Sequence, residues 1–167
     1  MTSRITCFAL HNVFGYTLKQ GVVLVGFCSL LISVITLLAS LIALCIMAAT
    51  ERQYNADPLN AIDMIFALFC TSTSMYQIGL AIMLLWYTVW HKGVPFFLTL
   101  WYGSHLSILP LYCFMFTARS LICFNAGYPV SGMMTIFFGI AFKGIYIYFA
   151  VIVNSYINSL EPNVIFF

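Results

Sequence analysis

Charge is scarce in this sequence. Only 6% of the 167 residues are Asp, Glu, Lys or Arg and 63% are hydrophobic, whereas soluble domains carry about 25% charged residues. Six cations and four anions cannot cover the surface of a water-soluble domain of this length. A net charge of +2 is also too small for a polybasic lipid-binding surface or a groove that follows nucleic-acid phosphates. The composition therefore predicts an integral membrane protein without a nucleic-acid partner.

Motifs that carry chemistry are also lacking. The six cysteines form no Cys-x-x-Cys pair, so zinc and thioredoxin-like sites have no support. A metal or haem site at His105 would need a second ligand at matching depth, and His11 and His91 lie outside the apolar runs. No base and acid accompany a nucleophile. We therefore expect no metal, no cofactor and no enzymatic activity.

Four long apolar runs fill most of the chain, at residues 21–49, 64–90, 95–118 and 130–157. Each run exceeds the roughly 20 residues that span a bilayer core, and a spanning segment must satisfy its own backbone hydrogen bonds as a helix. Short connections make sequential helices antiparallel. The sequence predicts an all-α polytopic membrane protein, an antiparallel four-helix transmembrane bundle, with tails at residues 1–20 and 158–167.

The orientation follows from the cations. Three lie on the side of the termini and two on the other, namely Arg4, Lys19 and Lys92 against Arg52 and Arg119. Because Lys and Arg are enriched in cytosolic loops, we expect both termini in the cytosol. Aromatic side chains prefer the membrane interface, which is where we expect those that border the second and third runs: Trp86, Tyr87, Trp90, Trp101 and Tyr102.

Small residues mark two helix faces. In the first run they recur at alternating spacings of 3 and 4, at Gly26, Ser29, Ser33, Thr36, Ser40 and Ala43. In the fourth run Gly132 and Gly139 share a face with Lys143. Such faces allow helices to pack closely in lipid. The first face is either an interface for a partner or ordinary packing within the bundle. It is called the α1 seam below, because the run at residues 21–49 is the first predicted helix, α1.

Lys143 lies near the middle of the fourth run, where a charge costs about 2.5–3.5 kcal/mol on insertion scales. Counting residues from the outer ends places Ser33, Gln77 and His105 at a similar depth. We therefore hypothesise a midplane polar cluster of these four residues. Three interpretations remain open: structural hydrogen bonding, pairing of Lys143 with an acidic residue in a partner's membrane helix, or a path for ions or protons.

The tails offer two further features. Cys7 is a candidate for palmitoylation next to the membrane, with an unmodified thiol as the alternative. Ile165 and Phe167 alternate before the terminal carboxylate, a pattern compatible with strand addition to a PDZ groove. A tail that lies back on the membrane is the alternative for that segment.

Two segments together resemble a known family. They are Cys7 with Tyr16-Thr17-Leu18-Lys19-Gln20-Gly21-Val22-Val23-Leu24-Val25-Gly26, and Tyr146-Ile147-Tyr148-Phe149-Ala150-Val151-Ile152-Val153-Asn154-Ser155-Tyr156. They resemble the opening tail and closing helix of an arthropod four-span family that includes the septate-junction Pasiflora proteins and is similar to lysosome-associated four-span proteins. The single tail cysteine, Lys19-Gln20 in place of Arg-Thr, and the lack of Pro-x-Tyr motifs depart from that pattern.

The resemblance implies a non-enzymatic membrane component with a role in junction or barrier assembly. We expect a scaffold or accessory subunit that assembles laterally with other membrane proteins or with copies of itself. The plasma membrane at cell junctions is the expected location, with endolysosomal membranes as the alternative. The alternative function is a small channel or transporter, or an endolysosomal transport or sorting factor, that uses the midplane cluster.

Overall fold

The computed structural model describes residues 15, 17–50, 58–90 and 95–160, and it confirms the all-α prediction. The four helices are α1 (Leu18–Ala49), α2 (Pro58–Trp90), α3 (Pro95–Asn125) and α4 (Pro129–Leu160). Each is long and apolar enough to cross a membrane, with mean hydropathy between 1.5 and 2.8 over its candidate span. The chain is therefore a multi-pass membrane protein.

Local sequence signals set the helix ends. Thr17 caps α1, since its side chain accepts a hydrogen bond from the Gln20 backbone while the Gln20 side chain accepts one from the Thr17 backbone. The other three helices begin at prolines, whose missing N–H costs nothing in a first turn. After α3, Gly127 adopts a φ of 81°, and the Tyr128 N–H donates to the Cys123 carbonyl at 2.9 Å. This Schellman-type ending turns the chain into α4.

The helices outrun the apolar runs from which they were predicted. Helix α2 begins six residues before residue 64 and α3 continues to Asn125 rather than 118. Pro110 lies inside α3 without ending it. As a consequence Arg119, expected in a connection, is a helical residue that can reach neighbouring helices.

The largest apolar core lies at the end of the bundle where α1 begins and α4 ends, here called the terminal end. It combines side chains of all four helices: Val22, Val25, Leu80, Leu84, Leu98, Trp101, Phe149, Ile152, Val153 and Ile157. The starts of α1 and α3 therefore meet the ends of α2 and α4. The bundle is antiparallel, with the first and last described helix ends on one side; the opposite side is called the far end.

Helix α1 packs mainly against α2, and α3 mainly against α4. Close approach uses glycine in both pairs. A Cβ on Gly26 would lie 2.8 Å from the Leu85 side chain, and one on Gly139 would lie 3.0 Å from the Phe116 ring. The face of α1 that is directed away from α2 is apolar, and its side chains are exposed, for example 66% of Phe27 and 59% of Ile42. Such a surface suits lipid and not water.

Candidate functional site

The middle of the bundle holds a layer of buried polar side chains. The Ser33 hydroxyl donates to Gln77 Oε1 at 3.4 Å, and the Tyr146 hydroxyl donates to the same oxygen at 3.2 Å. Ser33, Gln77 and Tyr146 are all buried. The Ser29 hydroxyl lies beside that of Tyr146 but makes no hydrogen bond of regular geometry in the described chain. Side chains of α1 and α4 thus donate hydrogen bonds to the same amide oxygen on α2.

His105 joins this layer through its ring. It stacks on Trp101 with centroids 3.9 Å apart, and its centroid lies 5.1 Å from that of Tyr146. The imidazole is 2% exposed, and neither ring nitrogen makes a regular hydrogen bond within the described residues. Trp101 itself is 1% exposed. Its ring fills the core between α3 and its neighbours, and the expectation that Trp101 lies at the membrane interface stays a prediction.

The centre of the layer is Tyr146, which the sequence reasoning missed. Ser33, Gln77 and His105 gather around its side chain. A signal was present: a tyrosine hydroxyl within a long apolar run needs a hydrogen-bond partner when it is buried. Depth counting sought partners for the charge of Lys143 and passed over this neutral donor.

Lys143 does not join the layer. Its Nζ lies 2.7 Å from the Cys113 thiol sulfur, on a partly exposed face between α3 and α4. The reason is helical geometry, since residues three apart differ by about 60° around the axis. With Tyr146 directed into the core, Lys143 is directed to its edge. The predicted cluster therefore divides into a buried layer of three residues and a separate lysine.

The α1 seam is directed into the bundle. Gly26, Ser29, Ser33 and Ser40 are buried, while Thr36 and Ala43 are partly buried. Contacts with α2 follow the seam, from Gly26 beside Leu85 to the 2.9 Å hydrogen bond that Thr71 donates to Ser40. From Gly26 to Ser33 the seam is therefore occupied by packing within the chain, which is one of the two interpretations that the sequence left open. The other seam residues, Thr36, Ser40 and Ala43, border an open cleft.

The small residues of α4 serve the same purpose against α3. Gly132 and Gly139 are buried, and added Cβ atoms would lie 3.1 Å from the Phe124 ring and 3.0 Å from the Phe116 ring. The Ser120 hydroxyl donates to the Gly132 carbonyl at 3.3 Å. The sides of Gly132 and Gly139 that face α3 are therefore occupied by packing within the chain.

An ion pair links helices at the far end. Arg119 Nε lies 2.7 Å from Asp63 Oδ1, and another guanidinium nitrogen donates to the Thr135 hydroxyl. The guanidinium carbon also lies 5.5 Å from the centroid of the Phe66 ring. Arg119 on α3 therefore joins α2 to α4. The pair borders an open cleft of about 550 Å³ between α1 and α2, called the far-end cleft, which Thr36, Ala39, Ser40 and Ala43 of α1 line.

A second concave surface lies between α2 and α3 on the membrane-facing side. It encloses about 730 Å³ and combines hydroxyl-bearing, glycine and apolar side chains: Ser72, Thr73, Tyr76, Phe96, Thr99, Leu100, Gly103, Ser104, Ser107 and Ile108. The Tyr76 hydroxyl crosses it to donate to Ser104 Oγ at 3.0 Å. This surface is called the α2–α3 groove. Composition and periodicity did not reveal it, because its residues are spread over two helices.

Some predicted features fall outside the described residues. They are Cys7 with its proposed palmitoylation, the C-terminal residues Ile165 and Phe167, and the cations Arg4, Arg52 and Lys92. Within the described ranges, no three His, Cys, Asp or Glu side chains come together as a metal site.

Comparison with known proteins gives no further assignment. No protein-family model matches the chain, and neither a curated protein nor a solved structure resembles it. The likeness to the Pasiflora-type four-span family therefore stays a prediction from two sequence segments.

Proposed function

We propose that the chain is a non-catalytic scaffold or accessory subunit that assembles laterally with other membrane proteins. The observation that supports this proposal is the α2–α3 groove, a concave and largely apolar surface that several hydroxyl-bearing side chains line. Because Gly26, Ser29 and Ser33 of the α1 seam are already buried within the bundle, we place the contact surface in this groove.

The groove extends from the start of α3 to the middle of α2 and α3. Ser72 and Tyr76 are near the middle of α2, and Ser104 and Ser107 are in the central part of α3. Some of these hydroxyls donate to their own helix, as Ser72 does to the Leu68 carbonyl at 3.0 Å and Ser107 to the Gly103 carbonyl at 2.9 Å. Lipid chains offer no partners for the remaining lone pairs, whereas Ser, Thr and Asn side chains of another helix do.

Glycine gives the groove room for a backbone. An added Cβ on Gly103 would meet no atom within 4 Å, so a helix can approach α3 closely there. Small residues beside hydroxyls are the features that membrane helices use to associate, since the hydrophobic effect gives them no drive to do so in lipid. A lateral protein partner therefore fits this surface better than an acyl chain does.

The alternative function is a small channel or transporter. The far-end cleft with its ion pair favours it, because charged groups at membrane depth mark pathways. Below the polar layer, however, Val22, Val25, Leu84 and Ile152 close the bundle with exposures of 1% or less. We therefore place lateral assembly first.

The cellular setting forms part of the proposal. The resemblance to septate-junction proteins supports the plasma membrane at cell junctions, with both termini cytosolic and an endolysosomal membrane as the alternative. A PDZ-type contact of the C-terminus and palmitoylation at Cys7 are compatible additions. The two termini-proximal helix ends lie on one side of the bundle, as a shared cytosolic location requires.

The experiment is a matched pair of glycine substitutions in the full-length protein. Gly103→Leu fills the α2–α3 groove, whereas Gly144→Leu adds the same side chain to an exposed position of α4 that also has no atom within 4 Å of a Cβ. Complexes extracted in mild detergent from epithelial membranes are sized by native electrophoresis. We expect Gly103→Leu to reduce the assembled fraction at least fivefold and Gly144→Leu to leave it unchanged.

Both variants replace a helical glycine, which raises helix propensity by about 1 kcal/mol in each case. A difference between their complexes therefore does not come from helix stability. Equal complex sizes for the wild type and Gly103→Leu would overturn assembly through the groove. Migration of the wild-type chain as a monomer in every mild detergent would overturn the assembly function itself.

A further inference from the structure

Lys143 presents a cation to the membrane near the middle of its span. It lies 14 residues after Pro129 and 17 before Leu160, within about 3 Å of the midpoint of α4 at a rise of ~1.5 Å per residue. Its side chain is partly exposed at the boundary between α3 and α4. Lys143 therefore lies near the middle of its helix and outside the buried polar layer.

The partner that the chain itself provides is weak. Lys143 Nζ contacts the Cys113 thiol at 2.7 Å, and a thiol sulfur is a weak hydrogen-bond acceptor. Within the described residues, the one ion pair joins Arg119 to Asp63 at the far end. The charge of Lys143 is thus left without a counter-charge inside the bundle.

A second copy of the chain cannot provide that counter-charge. The sequence has four carboxylate side chains, Glu51, Asp57, Asp63 and Glu161, and all lie outside the central part of the four helices. Asp63, the one that lies in the described residues, is five residues after the start of α2, far from the depth of Lys143 whether two copies pair parallel or antiparallel. The complementary carboxylate must come from a different protein.

A groove beside Lys143 has space for the backbone that carries this carboxylate. It encloses about 300 Å³ between α3 and α4 and extends from Lys143 toward the far end, lined by Phe116, Thr117, Ser120, Leu121, Phe124, Ile136, Gly139 and Ile140. Thr117 offers an exposed hydroxyl on one wall. Apolar walls with one cation at mid-depth match an apolar helix with one acidic residue.

We propose that the partner is a distinct membrane protein whose transmembrane helix carries a mid-depth Asp or Glu that pairs with Lys143. This inference rests on the proposed function of lateral assembly and names the chemistry of one partner. A charged pair in lipid is stabilised because each ion alone is costly there. Pairing offsets part of both desolvation costs, so the contact selects helices that carry an acid.

The test uses model helices as defined probes. The full-length protein, labelled with a donor fluorophore, is reconstituted in phosphatidylcholine vesicles at pH 8. It is titrated with acceptor-labelled 22-residue Leu-Ala peptides that differ only at the central residue, which is Asp, Asn or Leu. We expect energy transfer to the Asp peptide at a peptide-to-lipid ratio at least tenfold lower than to the Leu peptide.

Three variants locate the contact. Lys143→Met should remove the preference for the Asp peptide, and Lys143→Arg should retain it because the charge stays. Cys113→Ala should retain it as well, since the thiol is not the counter-ion in the proposed complex. Equal transfer to the Asp and Leu peptides, or a preference that survives Lys143→Met, would overturn the inference.

The two proposals can fail separately. If native complexes depend on the α2–α3 groove while the peptides show no discrimination, lateral assembly stands and the acidic partner falls. If the Asp peptide binds through Lys143 but the extracted wild-type chain is always monomeric, the binding surface stands and the proposed cellular assembly falls.

Discussion

The two ends of the bundle are held together by different physical means. At the terminal end, apolar side chains from all four helices interdigitate, and Val22, Val25 and Val153 are completely buried. At the far end, the salt bridge between Asp63 and Arg119 joins α2 to α3 beside an open cleft. The terminal end is closed by apolar packing, whereas the far end combines packing of α3 on α4 with a salt bridge beside an open cleft.

The contrast follows from what small residues meet across the interface. The Leu85 side chain of α2 fills the space beside Gly26, so this glycine lets α1 and α2 approach each other closely. Ala39 and Ala43 also lie on α1, but they border empty volume at the far end. A small side chain tightens a membrane bundle only where a larger partner fills the space it leaves. The same type of residue therefore closes one end and opens the other.

The largest effect should come from breaking the closed end. Trp101→Ala removes a 1%-exposed ring that stacks on His105, and we expect a loss of about 3 kcal/mol in the free energy of unfolding. The measurement is unfolding in mixed micelles at increasing mole fractions of dodecyl sulfate. Trp86→Ala, at a residue 55% exposed, is the control and should change stability by less than about 0.5 kcal/mol. Equal losses for both tryptophans would contradict a packed terminal end.

A smaller effect is expected at the far end. Asp63→Asn removes the charge that pairs with Arg119, but the two side chains are 33% and 24% exposed, so solvent weakens their attraction. We expect a loss of about 1 kcal/mol, which should shrink as salt is added because the pair is screened. A double-mutant cycle with Arg119→Gln in the same micelles measures the coupling. A coupling energy of zero would show that the far end is held by packing alone.

Much of the fold followed from the sequence because length and apolarity decide it. A run that exceeds the bilayer thickness must be a helix, and short connections make neighbours antiparallel. The ends of the individual helices were less predictable, since polar residues such as Arg119 continue a helix beyond the apolar run. Placing the third span's end at 118 hid the ion pair, although Asp63 and Arg119 flank the outer ends of adjacent spans.

For the candidate site, the sequence predicted how deep each residue lies along the bundle but not the direction in which its side chain leaves the helix. Counting residues correctly brought Ser33 and Gln77 to one level, and their side chains meet at 3.4 Å. It placed Lys143 at that level too, yet the lysine is directed to the edge between α3 and α4. Direction depends on how each helix is rotated, which packing around Tyr146 decides. The α1 seam had the same ambiguity, because a stripe of small residues indicates close packing without naming the partner.

The comparison of the two ends is tested most directly by cysteine accessibility in sealed membranes. Ala43→Cys lines the far-end cleft and Val25→Cys is buried in the terminal core. The positions are six and seven residues from the nearer end of α1, so their depths match. Each is introduced into a chain whose native cysteines are replaced by serine or alanine.

A membrane-impermeant maleimide is then applied to either side. We predict that Ala43→Cys is labelled from the side opposite the termini, and that Val25→Cys is labelled from neither side until the bundle is unfolded. Equal labelling of the two positions would contradict a bundle that is sealed at its terminal end and open at its far end.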